Sequence, residues 1–356
     1  MIRITQLTKL ALITMFMPFA AQAQPELVME TGDGLPLRVD KAFNELIETG
    51  FVGFVGVSVD GKIRYARGQA SDSLQFQLDS AIDVLSIIKS FTGAAVAILI
   101  SDGRLTATTT LGEIWDNVPE DKSQLTVHQL LTHTAGLPNL LGRDHEYIGK
   151  QALLDLTWAT PLRSQPGETY YYSNLGYSIL AAVIEAVTDQ SFEDYLSEAI
   201  FEPLHMTSTG YLEASCCHAD AEYVAKTSWG QLEKVSWHLM GNGGMLSTPR
   251  DMLKWIEGYE FEKLGGGKVK NLTHQPYIRE GETASSYYGY GLVVDATPDF
   301  GTAYWHNGGS TEFNSHWRYY PDYRVAIFVA SDQWDINSDF VEHAIAKAIL
   351  ADRVKP

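Results

Sequence analysis

Val52-Gly53-Phe54-Val55-Gly56-Val57-Ser58-Val59-Asp60-Gly61-Lys62-Ile63-Arg64-Tyr65-Ala66-Arg67-Gly68 reads as two strands joined by a tight turn. Val52 to Val59 is rich in β-branched and aromatic side chains, Asp60-Gly61 is a two-residue hairpin signal, and Lys62 to Gly68 returns as the partner strand. Upstream, Asp40 is expected to cap a helix whose apolar residues are Ala42, Phe43, Leu46 and Ile47, with Gly50 as its stop. Downstream, Ile87, Phe91, Ala94, Ala95 and Ile98 recur at helical spacing from Ser86 to Ser101, and Asp102-Gly103 ends that helix.

From about Leu105 to Tyr259 the patterns predict mostly helix and loop. Tyr177 to Val187 is a strongly apolar helix, Ser191 to Asp194 resembles a capping box, and Thr248-Pro249-Arg250-Asp251 opens another helix with proline in its first turn. Strands are expected to return after the Gly265-Gly266-Gly267 loop: Gly291 to Val294, Ala303 to His306, Ser315 to Tyr319 and Arg324 to Ala330, with a turn at Pro321-Asp322-Tyr323. Ser338 is expected to cap a final helix, Asp339 to Leu350. Strand-forming segments therefore sit at both ends and helices in the middle. The fold class expected is α+β, with an α/β lobe from residues 24–105 and 285–356 and a mainly helical lobe over 106–284.

The chain has 356 residues, of which 45% are hydrophobic and 20% charged, an ordinary globular balance. A net charge of −18 repels phosphate backbones and anionic lipid, so no nucleic-acid partner is expected; with no cysteine near residue 23 and no long apolar stretch after it, no membrane anchor is expected either. Residues 1–23 read as a signal peptide: Arg3 and Lys9 come first, then the apolar run Leu10 to Ala20, then the small residues of Ala21-Gln22-Ala23. Cleavage after Ala23 would make the protein periplasmic or secreted. Two adjacent cysteines, Cys216 and Cys217, exclude a disulfide-dense scaffold; beside His218 they make a poor metal site, and a vicinal disulfide is the alternative to a plain surface loop.

Three short motifs carry chemistry. In Ser86-Ile87-Ile88-Lys89, residues three apart share a helix face, so the lysine amine can reach the serine hydroxyl and, if desolvated, take its proton. Ser86 also stands at the expected helix start, where its own N–H is available to an oxyanion. Taken alone, the spacing fits an ordinary helix start with a solvated lysine better than a catalytic pair. Tyr172-Ser173-Asn174 offers a phenol for proton relay and an amide to hold a substrate carbonyl or the lysine, or else a simple helix cap. Trp305-His306-Asn307-Gly308-Gly309 offers glycines that let a substrate approach a strand, or a structural histidine at a glycine-rich strand end.

In this order, S-x-x-K, Y-x-N and H-x-G resemble the serine β-lactamase and penicillin-recognising superfamily. The nearest branch in character holds class C β-lactamases, D-alanyl-D-alanine carboxypeptidases, D-aminopeptidases and related esterases. Leu130 to Pro138, Gly243 to Met252 and Tyr288 to Leu292 resemble further family segments, so the likeness covers nearly the whole chain after residue 23. The resemblance implies an antiparallel sheet flanked by helices with an all-helical second lobe and a site between them. It implies Ser86 as acylated nucleophile, Lys89 as its activating partner and Tyr172 as general base and then acid. It further implies Asn174, His306, Asn307, Gly308 and Gly309 as substrate-binding, with the Ser86 and Gly309 N–H groups forming an oxyanion hole, and neither metal nor cofactor.

Two departures bear on substrate. Histidine stands where class C enzymes carry lysine, which removes a permanent cation. Counting along the strands also places Asp332 where many of them carry asparagine. Both favour a neutral small ester or amide over an anionic substrate. The function expected is an exported serine hydrolase. A D-alanyl-D-alanine carboxypeptidase acting on cell-wall peptides, a β-lactamase, and a non-catalytic penicillin-binding-type recognition protein are the alternatives.

Overall fold

A computed structural model of the protein describes residues 34–69, 76–211, 234–297, 299–333 and 335–351. The signal-peptide reading and the Cys216-Cys217 pair lie outside the described residues.

Strands β1 (Gly53–Val59) and β2 (Lys62–Gln69) form the expected hairpin. Asp60 (φ 52°) and Gly61 (φ 75°) both occupy the left-handed region, which is what a two-residue turn between right-twisted strands requires. A short pair, β3 (Ile82–Asp83) and β4 (Leu246–Ser247), stands apart. Strands β5 (Ile278–Arg279), β6 (Tyr287–Tyr288), β7 (Val293–Thr297), β8 (Gly301–Gly309), β9 (Asn314–Tyr320) and β10 (Val325–Ser331) complete the main sheet. Its order is β2-β1-β10-β9-β8-β7-β6-β5, antiparallel throughout. The Gly53↔Ser331 to Val59↔Val325 register joins the two ends of the chain.

Both faces of the sheet are covered, which is why every residue of β1 and of β10 is buried. Helices Leu35–Glu48 and Ser338–Leu350 cover one face; Val39, Phe43, Ile345 and Ile349 pack there against Val55, Val57, Ile327 and Val329. The helix Ile88–Ser101 lies under the other face, in the larger core with Phe91, Trp255, Trp317 and Phe328. Between β3 and β5 the described chain is helix and loop apart from β4, and includes the apolar helix Asn174–Thr188 and the proline-started helix Pro249–Glu260.

Three local expectations are corrected. The first helix begins at Leu35 with Gly34 as its N-cap, so Asp40 lies inside it; its carboxylate accepts from the Tyr65 hydroxyl (3.0 Å) and the Arg67 guanidinium (2.8 Å) on β2. The glycine loop leads into a short helix, Gly267–Thr273, before strands resume. The last helix is capped by Asn337, whose side chain accepts the Asp339 N–H at 3.0 Å, one residue before the expected cap.

Candidate active site

Ser86 sits in a single 3₁₀ turn, Leu85–Ile87, that runs directly into the helix Ile88–Ser101. Leu85 takes a left-handed backbone (φ 54°), a strained choice for a side chain branched at Cγ, and its N–H is held by the Asp83 carboxylate at 2.8 Å. The Lys89 amine donates to Ser86 Oγ (3.1 Å) and to the Asn242 carbonyl (2.7 Å) and is fully buried. Burial therefore holds Lys89 well below the usual lysine range, against a smaller upward pull from Asp144. A neutral amine is an acceptor for the serine proton; an ammonium is not.

Tyr172 stands beside Ser86, and the Lys89 amine lies 5.0 Å from the centre of its ring. Burial pushes the Tyr172 phenol up, outweighing the opposite pull of the neighbouring Ser86 side chain, so it stands as a neutral hydroxyl. The resting group is therefore a phenol and not a phenolate. His306 is buried on β8; its Nε2 meets the Tyr288 hydroxyl at 3.0 Å and its Nδ1 the Asn307 carbonyl at 2.6 Å. Burial, and next the nearby Lys89, push its pKa down to about 3, so the ring is neutral at every ordinary pH.

A cavity of about 640 Å³ opens over Ser86. Asn174 and Gly309 also line it, together with Arg143, Asp144 and Glu312. The Asn174 side-chain oxygen is buried without a partner among the described residues, an acceptor left over for a bound group. The Ser310 N–H bonds the Phe313 carbonyl at 2.9 Å, so ladder alternation turns the Gly309 N–H away from β9. Strand β7 pairs with β8 no further along than Trp305, which leaves that N–H facing the gap. The Ser86 N–H lies in the first turn of its helix, whose donors have no partner within the helix.

The structure separates other expected members of the site. Asn307 is exposed on the sheet face opposite to His306, and only its carbonyl meets that ring. Gly308 does not admit substrate: a Cβ there would lie 2.6 Å from Leu85 Cβ and 2.6 Å from the Val84 carbonyl, so this glycine lets β8 press on the turn that carries Ser86. We expect Gly308→Ala to cost about 1–3 kcal/mol and to lower turnover by moving Ser86. Thermal unfolding alongside kcat checks this, and a variant unchanged in both would contradict it. Asp332 follows the end of β10, two strands from β8, and is not part of the cavity wall; its acids are Asp144 and Glu312 instead. Arg318 is buried beside Asp339 (2.9 Å) and Glu342 (3.4 Å), on the other face of the sheet from Trp317.

Among the described residues, His316, Asp339 and Glu342 are the one group whose ligand atoms gather as a metal would need, and Arg318 already supplies their positive charge. That group lies across the sheet from Ser86. A second cavity, about 510 Å³, is lined by Glu193, Phe201, His205 and Tyr211 and shares no residue with the first.

Sequence reasoning missed the scaffold that holds these groups. The Tyr171 N–H bonds the His133 carbonyl (2.9 Å), Ser173 Oγ donates to the Pro138 carbonyl (2.7 Å), and the Asn174 N–H bonds Asn139 Oδ1 (3.0 Å). Residues 133–139 thus grip the Tyr172-Ser173-Asn174 motif from behind. Gly291 (φ 81°) lies so close to the Lys89 carbonyl that no side chain would fit, and Gly93 meets the Tyr290 carbonyl in the same way.

A sequence profile of the Beta-lactamase family matches residues 39–352. The chain belongs to the beta-lactamase family. Among its relatives, Protein flp of Staphylococcus aureus (strain N315) is 24% identical over 329 residues, covering 85% of this chain and 64% of that protein. This beta-lactamase-family chain thus spans between about half and two thirds of the length of the curated relatives it first matches. Its fold is shared with the octameric penicillin-binding protein homologue from Pyrococcus abyssi (TM-score 0.73, 23% identity, 88% of this chain and 77% of that one). It is also shared with the D-amino acid amidase from Ochrobactrum anthropi SV3 (TM-score 0.73, 19% identity, 90% of this chain and 99% of that one). The expected α+β class and the family resemblance both hold.

Proposed function

We propose that this chain is an exported serine hydrolase that turns over small esters or amides through an acyl-Ser86 intermediate. The observation that carries the reading is the buried Lys89 amine, 3.1 Å from Ser86 Oγ in surroundings that favour its neutral form. In acylation, Ser86 Oγ attacks the carbonyl carbon, its proton passes to Lys89, and Tyr172 gives its proton to the departing group. In deacylation, the Tyr172 phenolate takes a proton from the attacking water, and Lys89 returns its proton to Ser86 Oγ as the acyl bond breaks. The Ser86 and Gly309 N–H groups receive the oxyanion in both halves. The test is a parallel assay of p-nitrophenyl butyrate, nitrocefin and a D-alanyl-D-alanine peptide, with Ser86→Ala as control; no turnover of any of the three by wild type favours a recognition protein without chemistry.

Neutral substrates fit the charges best. His306 supplies no cation, and two acids, Asp144 and Glu312, line the cavity against the one arginine, Arg143. At about 4 Å, two like charges cost roughly 4 kcal/mol at an effective dielectric near 20. We therefore expect kcat/KM for the butyrate ester to exceed that for the two carboxylate-bearing substrates, and His306→Lys to narrow the gap. The reverse order in wild type would favour the second reading, a carboxypeptidase, in which Arg143 takes the substrate carboxylate. Export rests on Arg3, Lys9, the apolar run and Ala21-Gln22-Ala23. Mass spectrometry of protein recovered outside the cytoplasm should find Gln24 at the N-terminus, and an intact Met1 start in the cytoplasm would contradict export.

A further inference from the structure

Beneath the Ser86–Lys89–Tyr172 cluster lies one imidazole to which the proposed reaction gives no proton. His133 is 2% exposed, with its ring centre 4.4 Å from that of Tyr172, 4.6 Å from Tyr288 and 5.0 Å from Tyr177. Its Nδ1 accepts the Ser173 N–H at 3.1 Å, and its carbonyl accepts the Tyr171 N–H at 2.9 Å. The two residues flanking Tyr172 are therefore bonded to one histidine, once through its backbone and once through its ring.

We propose that His133 is a positioning residue for proton transfer, which sets the Tyr172 hydroxyl on Ser86 by accepting the Ser173 N–H. This rests on the reading of Tyr172 as proton donor in an acyl-Ser86 reaction. Three features single out the ring nitrogen as the working part. Accepting at Nδ1 puts the proton of the neutral ring on Nε2, and Nε2 has no hydrogen-bond partner among the described residues, so the only bond the ring makes is the one to Ser173. Burial favours the neutral ring, which is the only form with an acceptor at Nδ1. The backbone of His133 is left-handed (φ 58°), so its side chain leaves the 130–138 segment at an angle that a right-handed residue would not give. His133 does not line the cavity, so substrate binding should be insensitive to it.

Two substitutions separate an acceptor from mere filling. Asparagine tolerates the left-handed backbone and places Oδ1 close to where the imidazole places Nδ1; phenylalanine keeps a ring and loses the acceptor. In steady-state assays on p-nitrophenyl butyrate, His133→Phe should lower kcat on the order of a hundredfold with KM unchanged, as expected for a displaced catalytic group. His133→Asn should hold kcat within roughly tenfold of wild type. Thermal unfolding of each variant identifies any that fail to fold. A folded His133→Phe with wild-type kcat overturns the proposal. So does a folded His133→Asn that falls as far as Tyr172→Phe, and this second comparison decides the matter if the phenylalanine variant does not fold. A fluorophosphonate probe separates the two levels of inference: wild type that is not labelled at Ser86 overturns the acyl-enzyme reading itself, whereas labelled wild type with indifferent His133 variants overturns only the role of His133.

Discussion

Ser86→Ala should abolish hydrolysis while leaving the fold unchanged. The hydroxyl is bonded to the Lys89 amine beside Tyr172 at the wall of an open cavity, so removing one oxygen leaves the packing of Leu85 and Ile87 as it was. Loss of a covalent nucleophile lowers turnover by roughly three orders of magnitude or more, because the remaining groups then act only as a binding site for the transition state. Rates with p-nitrophenyl butyrate, measured beside circular dichroism and thermal unfolding, check both halves of the claim. Residual turnover above roughly a hundredth of wild type with native spectra would mean that another group attacks.

Lys89 should show the second large effect. Lys89→Ala is expected to lower kcat by about 10²–10⁴-fold, the usual worth of a positioned base. The pH profile carries the sign. Only the neutral amine accepts the serine proton, so activity rises as pH passes upward through the Lys89 pKa, which burial has moved well below 10.5. Asp144 is the one charge that favours the ammonium form. Asp144→Asn should therefore move the acid limb of kcat/KM to lower pH, with the alkaline side unaffected. A limb that stays in place, or moves upward, would show that another group controls it. The same burial affects stability. A lysine whose folded pKa lies below its unfolded value binds fewer protons when folded, so stability falls as pH drops from the unfolded pKa toward the folded one. Lys89→Met should remove that slope, which denaturant titrations at several pH values would detect.

Most of the fold could be read from local chemistry. The Asp60-Gly61 turn, the helix from Ser86, the caps at Ser191 and Thr248, and the four C-terminal strands depend on residues close in sequence. The cap at Asp40 failed because its partners, Tyr65 and Arg67, are on another strand and no short-range pattern announces them. The site divides in the same way. Ser86 and Lys89 meet because helix geometry brings residues three apart together, and that pairing follows from spacing. The environment that makes the pairing chemical does not. It comes from the Asn242 carbonyl, 153 residues away along the chain, and from the Tyr172 and Tyr177 rings beside the lysine amine. Gly308 was misjudged for a related reason: whether a glycine makes room for a ligand or for the protein's own backbone depends on what faces it, here Leu85 and Val84. Asp332 was placed by counting along strands, and the count did not foresee that the acids of the cavity wall come from the 140–145 loop and the β8–β9 turn.

The central claim is that the acyl group is carried on Ser86, and acid-quenched turnover tests it most directly. The enzyme is mixed with excess p-nitrophenyl butyrate, stopped within the first turnovers, digested and analysed by peptide mass spectrometry. The expected product is a peptide containing Ser86 that is heavier by one butyryl group, absent from Ser86→Ala and still present in a variant slowed at Tyr172. Butyrate released with no modified peptide at any quench time, or an adduct on a residue other than Ser86, would contradict it.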